Sequence, residues 1–361
     1  MISQILAKQT INEICIIRLS ALGDVCHFLP TYHAIKNKFP NANITWVIGK
    51  LEHQLVGDLP DTRFVVIDKS AGLAAYWQYR QQMKSSQFDL LIHAQTSLRA
   101  NMFAWLTPAK YKIGFDKQRS RELHYHVCNL HLAPAPDQHQ VDDFLDFALA
   151  LQANVADIKW GIPIPPEATE FASLHIQANQ PVLAINACSS PSKRVFRNWD
   201  SKRYVEVCQY AYQVYKAQVV ICGGPSKLEQ EIATSIVEAV RIPVVNLVGQ
   251  TNLKQLCAVL KAADVLLTSD SGPAHIATAV GTKVIALHAA TNPLQIGPYQ
   301  QQDLWVSHYQ DAVQEEYQKP IDTLPFGIRA HGEHVMDKVT VDEVKKKIDN
   351  VFGTENQSSK L

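Results

Sequence analysis

Short apolar runs alternate with helical stripes along most of the chain. Ile14-Cys-Ile-Ile-Arg-Leu reads as a buried strand. Val25, Phe28, Leu29, Tyr32, Ile35 and Phe39 follow it at spacings of three and four, which predicts a helix. Further strands are predicted over Ile44–Ile48, Phe64–Ile67, Asp89–Ala94 and Lys112–Phe115, and helices over Leu73–Met83, Leu98–Leu106 and Val141–Leu151. The second half repeats the alternation. Its strands are Val182–Asn186, Gln218–Cys222, Val244–Leu247, Val265–Thr268 and Lys283–Leu287, with helices starting near Ser201, Lys227, Asn252 and Pro273. Such short, wholly apolar strands separated by helices belong to parallel sheets covered on both faces. The expected fold class is therefore α/β, with two doubly wound sheets in series. Gly161-Ile-Pro-Ile-Pro-Pro-Glu cannot lie in a helix interior and places the junction between about Ala153 and Gln180. Val341, Val344, Ile348 and Val351 form a last apolar face with Lys345 to Lys347 turned outward, and the polar tail from Gly353 is expected to be disordered.

A length of 361 residues suffices for two domains with a core each, and 47% hydrophobic with 19% charged residues is a globular composition. Thirty-four basic and 34 acidic residues cancel. That balance argues against a nucleic-acid binder, and any anionic ligand must be held by local charge. The seven cysteines, at 15, 26, 128, 188, 208, 222 and 257, are scattered and form no C-x-x-C pair, as expected of buried thiols in a reducing compartment. No apolar stretch approaches the ~20 residues of a membrane span. Met1–Thr10 lacks the apolar core of a secretory signal, and no amphipathic membrane anchor stands out. A soluble, cytoplasmic protein is expected.

Parallel sheets of this kind bind ligands at the carboxyl ends of their strands, here facing a cleft between the two domains. Four turns at such ends could carry chemistry. Arg18-Leu-Ser-Ala-Leu-Gly23-Asp24-Val25 follows the first strand. Asp24 there is either a helix cap or a general base for an attacking hydroxyl. Thr268-Ser-Asp270-Ser271-Gly272-Pro273-Ala-His275 opens a helix whose first N–H groups could cradle a phosphate, with His275 adding a hydrogen bond; alternatively Ser271 only caps and His275 only packs. Ser189, Ser190, Lys193, Arg194 and Arg197 lie in a loop that suits a diphosphate or is simply a solvated basic loop. Gly223-Gly224-Pro225 lets a nucleotide approach the backbone or is a plain turn. G-x-G-x-x-G, P-loop and D-x-D motifs are all missing from the sequence. Asp142, Asp143 and Asp146 read as the polar face of their helix, and His124, His126 and His131 show no second ligand group for a metal.

With these four elements in order, the chain resembles glycosyltransferase family 9, the ADP-heptose:lipopolysaccharide heptosyltransferases, over roughly Ile14 to Phe352. Gly114-Phe-Asp-Lys-Gln-Arg-Ser-Arg-Glu and Asn292-Pro-Leu-Gln-Ile-Gly-Pro-Tyr299 bring it nearest the heptosyltransferase I-like branch. The resemblance implies a GT-B fold of two facing Rossmann-like domains. Residues 1–160 would bind the acceptor and 161–335 the nucleotide sugar. Residues 336–352 would form a helix able to pack back on the first domain, and 353–361 a disordered tail. It implies metal-independent, inverting transfer of heptose from ADP-heptose to Kdo-lipid A at the inner-membrane face, by a cytoplasmic, peripherally attached monomer with no cofactor. The alternatives are a same-fold transferase for another nucleotide sugar and a non-catalytic sugar-nucleotide binder. By the motif match Asp24 is the base, and Asp270, Ser271, Gly272 and His275 meet the donor. Arg197 stands where the family has a lysine two residues before Trp199, and Ser189 or Ser190 matches a hydroxyl contact. Lys193 or Arg194 could take the phosphate role in a loop longer than usual. Arg18, Arg99, Lys117, Arg119 and Arg121 are the cations expected to hold the anionic acceptor.

Overall fold

The computed structural model describes residues 2–6, 9–177, 179–189 and 195–358, with side chains from 195 and 354–358 left aside. Ser190, Lys193 and Arg194, three of the expected donor contacts, lie outside the described residues. The chain divides into two compact units, Met1–Pro163 and Ile164–Leu361.

The first unit holds β1 (Glu13–Ile17), β2 (Asn43–Gly49), β3 (Thr62–Ile67), β4 (Phe88–His93), β5 (Ala109–Gly114) and β6 (Leu130–His131). They form one parallel sheet in the order β3-β2-β1-β4-β5-β6. Ile14 pairs with Ile44 on one side and Leu90 on the other. The second unit holds β7 (Val182–Asn186), β8 (Gln218–Ile221), β9 (Val244–Asn246), β10 (Val265–Ser269), β11 (Lys283–His288) and β12 (Trp305–Ser307), in the order β12-β11-β10-β7-β8-β9. The two orders are the same topology. In each, the first and fourth strands of the unit sit side by side and the chain winds away to both flanks. Right-handed crossovers then place the helices of the two flanks on opposite faces and open a crevice where the winding reverses. The central strands are buried along nearly their whole length, which is why they read as unbroken apolar runs. All seven cysteines are buried thiols.

Local chemistry fixes the helices beside the crevices. Helix Leu22–Lys38 starts after the extended Ala21, has Asp24 in its first turn and Lys36 and Lys38 in its last, and stops before Pro40. Helix Gly272–Val280 takes Pro273 in its first turn, and Gly281 closes it at φ +89°, a conformation that glycine adopts without strain.

Three elements depart from the sequence pattern. Helix Lys50–Val56 is short and two-faced only over two turns. Helix Pro166–His175 lies within the predicted junction, with its prolines confined to the start, and it packs on helix Leu253–Ala262. The final helix, Val341–Ser358, buries Val344, Ile348, Val351 and Phe352 in the core of the second unit beside helix Ser201–Tyr215. It packs there because its apolar stripe meets the aromatic side chains of that neighbouring helix, Tyr215 lying 5.4 Å from Phe352. It also continues past Gly353, where a disordered tail was expected; the segment has no proline, and one interior glycine costs only about 1 kcal/mol.

Candidate active site

In the first unit the β1 turn is pinned from both neighbouring strands. The Leu19 N–H donates to Gln95 Oε1 at 2.7 Å, just beyond β4. The Gly49 N–H, at the end of β2, donates to Leu19 O at 3.0 Å. A Cβ on Gly49 would stand 2.5 Å from that carbonyl, so glycine is required for the approach. Arg18 is buried. It donates to Ala94 O at 2.6 Å, lies 5.0 Å from the Phe144 ring centre, and reaches Asp24 Oδ2 with Nη2 at 2.5 Å. Asp24 Oδ2 also accepts from the Ala21 N–H at 2.8 Å. The carboxylate does cap its helix, from inside the first turn, yet it stays partly exposed and is oriented by a buried cation.

The five expected acceptor cations separate into different environments. Arg18 is spent on Asp24 and the backbone. Arg119 is clamped by Asp116 (2.5 Å), Asp143 (2.9 Å) and Asp146 (2.6 Å) and donates to Ala133 O. Two of the three helix aspartates therefore hold Arg119 and do not simply face water. Arg99 lines a recess of about 250 Å³ with Lys69, Tyr76 and Phe103. Lys117 and Arg121 line another of about 450 Å³ with Ser120 and Tyr125. His124 is buried, its Nε2 accepting from the Phe115 N–H at 3.1 Å, and His131 stacks on Tyr125.

In the second unit the turns after β7 and β10 meet in one polar network. Asn186, the last residue of β7, donates from Nδ2 to Cys222 O at 3.2 Å and accepts from Thr268 Oγ1 at 3.2 Å. Thr268 Oγ1 lies 2.9 Å from Ser271 Oγ. Ser271 precedes helix Gly272–Val280 but makes no side-chain cap to it, so its hydroxyl belongs to this network. Asp270 is buried and accepts from Arg197 Nη1 at 2.8 Å, and His275 Nε2 stands 3.9 Å from its other oxygen. Burial alone would raise the Asp270 pKa; Arg197, ahead of the two nearby histidines, holds it below the usual carboxylate range. Arg197 is placed by its neighbours. Trp199 is buried and donates to Val339 O at 3.0 Å, and Asn198 Oδ1 accepts from both the N–H and the hydroxyl of Ser189 at 2.8 and 2.7 Å. The Gly223-Gly224 turn is occupied: the Gly224 N–H donates to Glu229 Oε1 at 2.6 Å and Ser226 Oγ to Oε2 at 2.5 Å. Glu229, four residues after Pro225, thus folds back onto the turn.

Gln95 and His288 complete these two turns without having been singled out in the sequence. His288 ends β11, one residue beyond the predicted strand. Its Nε2 is buried with no hydrogen-bond partner among the described residues. Burial pushes its pKa down to about 4, against the pull of Asp270. The unfolded chain binds this proton from about pH 6.5 downward and the folded chain only near 4, so the stability it contributes is whole above 6.5 and lost as the pH falls through that window. His288→Asn is expected to lose about 2 kcal/mol less than the parent between pH 7 and pH 5 in urea unfolding, and equal losses would contradict a buried neutral ring.

Comparison with known proteins identifies the family and the fold. The family model described as glycosyltransferase family 9 (heptosyltransferase) matches residues 76–324. The chain is 37% identical to the lipopolysaccharide core heptosyltransferase OpsX of Haemophilus influenzae, over 92% of this chain and 95% of that one. Among solved structures, a family 9 glycosyl transferase from Veillonella parvula superposes with a TM-score of 0.77 at 20% identity, covering 94% of this chain and 97% of the other. The Escherichia coli heptosyltransferase WaaC with ADP superposes at 0.71 and 19%, covering 94% and 99%. The shared architecture is the GT-B fold.

Proposed function

Because the chain belongs to glycosyltransferase family 9, the heptosyltransferases, we propose that it moves heptose from ADP-heptose to the Kdo-lipid A inner core of lipopolysaccharide, inverting the anomeric centre without a metal ion. Asp24 takes the proton of the acceptor hydroxyl as its oxygen attacks the anomeric carbon. Its Oδ2 is held by Arg18 and Ala21, which leaves Oδ1 for the substrate. The bond from the anomeric carbon to the diphosphate breaks on the opposite face, and the pair of electrons leaves with ADP. Arg197, His275, the Ser271 hydroxyl and the amino end of helix Gly272–Val280 meet the negative charge that grows on the departing phosphate. Arg197 and these preorganised donors take the neutralising part that a metal plays elsewhere. Glu229 accepts from the ribose hydroxyls beside the Gly-Gly turn. Lys117, Arg121 and Arg99 meet the anionic sugars of the acceptor, whereas Arg18 and Arg119 act as positioning residues. The protein works at the cytoplasmic face of the inner membrane.

One observation carries most of this reading: a buried carboxylate, Asp270, holds an arginine and a histidine at a helix start, where the winding of the second sheet reverses. A structural ion pair needs neither the helix start nor the crevice. Calorimetric titration with ADP, UDP and GDP tests it. ADP is expected to bind most tightly, and a preference for the uridine nucleotide would overturn the donor assignment while leaving the fold untouched.

A further inference from the structure

Helices Ala74–Gln82 and Leu98–Leu106 pack on one another through Tyr76 and Tyr79, whose rings lie 4.7 and 4.9 Å from that of Phe103. Their inward residues, such as Tyr79 and Ala104, are buried. Their outward residues are also apolar. Leu98, Met102 and Trp105 stand at i, i+4 and i+7 along the second helix, and all three are exposed. Leu73 and Trp77 stand four apart along the first, 86% and 65% exposed. Trp77 and Trp105 are the only mostly exposed tryptophans of the six in the chain. Beyond Trp77 the exposed side is basic, with Arg80 in the last turn of that helix and Lys84 just past its end.

Charge is distributed unevenly around this face. Between Asp68 and Asp116 the sequence has a single carboxylate, Asp89, and it is taken by the N–H groups of Asn12 and Glu13. The same stretch has six cations, in a chain whose charges cancel overall; Lys69 is paired with Glu52 and Lys112 donates to Ala104 O, which leaves Arg80, Lys84, Arg99 and Lys110. Indole rings with an apolar body and a polar N–H favour the boundary between headgroups and acyl chains, and basic side chains beside them draw anionic lipid.

We propose that this face docks on an anionic lipid bilayer, Trp77 and Trp105 entering the headgroup layer while Arg80, Lys84 and Lys110 meet lipid phosphates. A second copy of the chain suits the face less well. A two-fold contact would lay the same cations against each other, and the carboxylates beside the face are already engaged, Glu122 accepting from the Leu98 N–H and Glu52 pairing with Lys69. The membrane-linked acceptor proposed above gives docking its purpose; the surface chemistry stands apart from it.

The test uses the full chain with vesicles alone, without donor or acceptor, so its failure leaves the transferase reading intact. Sedimentation with vesicles of phosphatidylcholine and phosphatidylglycerol is expected to carry the protein down, and pure phosphatidylcholine far less of it. Trp77→Ala with Trp105→Ala is expected to cut the partition coefficient about tenfold or more. Arg80→Glu with Lys84→Glu is expected to cut it similarly and to flatten its salt dependence. A circular dichroism spectrum and a melting temperature like the parent's show that the variants are folded. If a variant does not fold, quenching of the parent's tryptophan emission by brominated lipid decides in its place, with quenching expected. Equal partition of parent and folded variants, absence of the parent from anionic vesicles, no quenching, or a dimer that the double tryptophan variant disperses would each overturn the proposal.

Discussion

Asp24→Asn is expected to lower kcat about a thousandfold while leaving the affinity for ADP within a factor of two. The amide keeps an oxygen for the Ala21 N–H, so the start of helix Leu22–Lys38 survives. It cannot accept a proton at neutral pH, and a thousandfold is about 4 kcal/mol of transition-state stabilisation, within the range such a group supplies. Arg18 loses its carboxylate and becomes a buried cation held by Ala94 O and Phe144 alone. A loss of stability of about 1–2 kcal/mol is therefore expected beside the loss of rate. A pure capping role gives a different pair of numbers: the melting temperature falls and kcat stays within a few-fold. Single-turnover kinetics and a thermal melt on the same preparation separate the two.

Arg197→Ala is expected to weaken ADP binding by about 10–100-fold, the loss of one or two charge-assisted hydrogen bonds. It also strands Asp270, whose carboxylate is buried and is kept ionised mainly by this partner. With the cation gone, part of that burial cost is left uncompensated, and the second unit is expected to lose on the order of 2 kcal/mol. Arg197→Lys restores the charge but not the planar fork. It is expected to recover most of the stability and only part of the affinity, since one ammonium cannot hold Asp270 and a phosphate with the same geometry. An ADP dissociation constant within twofold of the parent's in Arg197→Ala would remove Arg197 from the donor site.

The sequence carries the sheets because their central strands are buried on both faces and so appear as unbroken apolar runs. It carries the two main turns because Gly23-Asp24 and Asp270 to His275 follow such runs directly. It does not carry partners brought in by strand order. Gln95 and His288 matter only because β4 lies beside β1 and β11 beside β10, and nothing near either residue in the chain announces that. The acceptor cations show the same limit. Arg18, Arg119 and Arg121 look alike in sequence, yet Arg18 and Arg119 are tied down by carboxylates, and only a fold shows that Asp143 and Asp146 reach back 24 and 27 residues to Arg119. The exposed stripe of Leu98, Met102 and Trp105 is hidden for a related reason. Its spacing is that of a core-facing helix, and which face is buried is settled by Phe103 meeting Tyr76 and Tyr79.

The most direct measurement is the configuration of the product. Purified protein is incubated with ADP-heptose and Kdo-lipid A in the presence of EDTA, and the new glycosidic linkage is read by nuclear magnetic resonance. The account expects a heptosyl product of anomeric configuration opposite to that of the donor, formed at the same rate with and without chelator. A product that retains the donor's configuration, or no product from an enzyme that binds ADP, would contradict it.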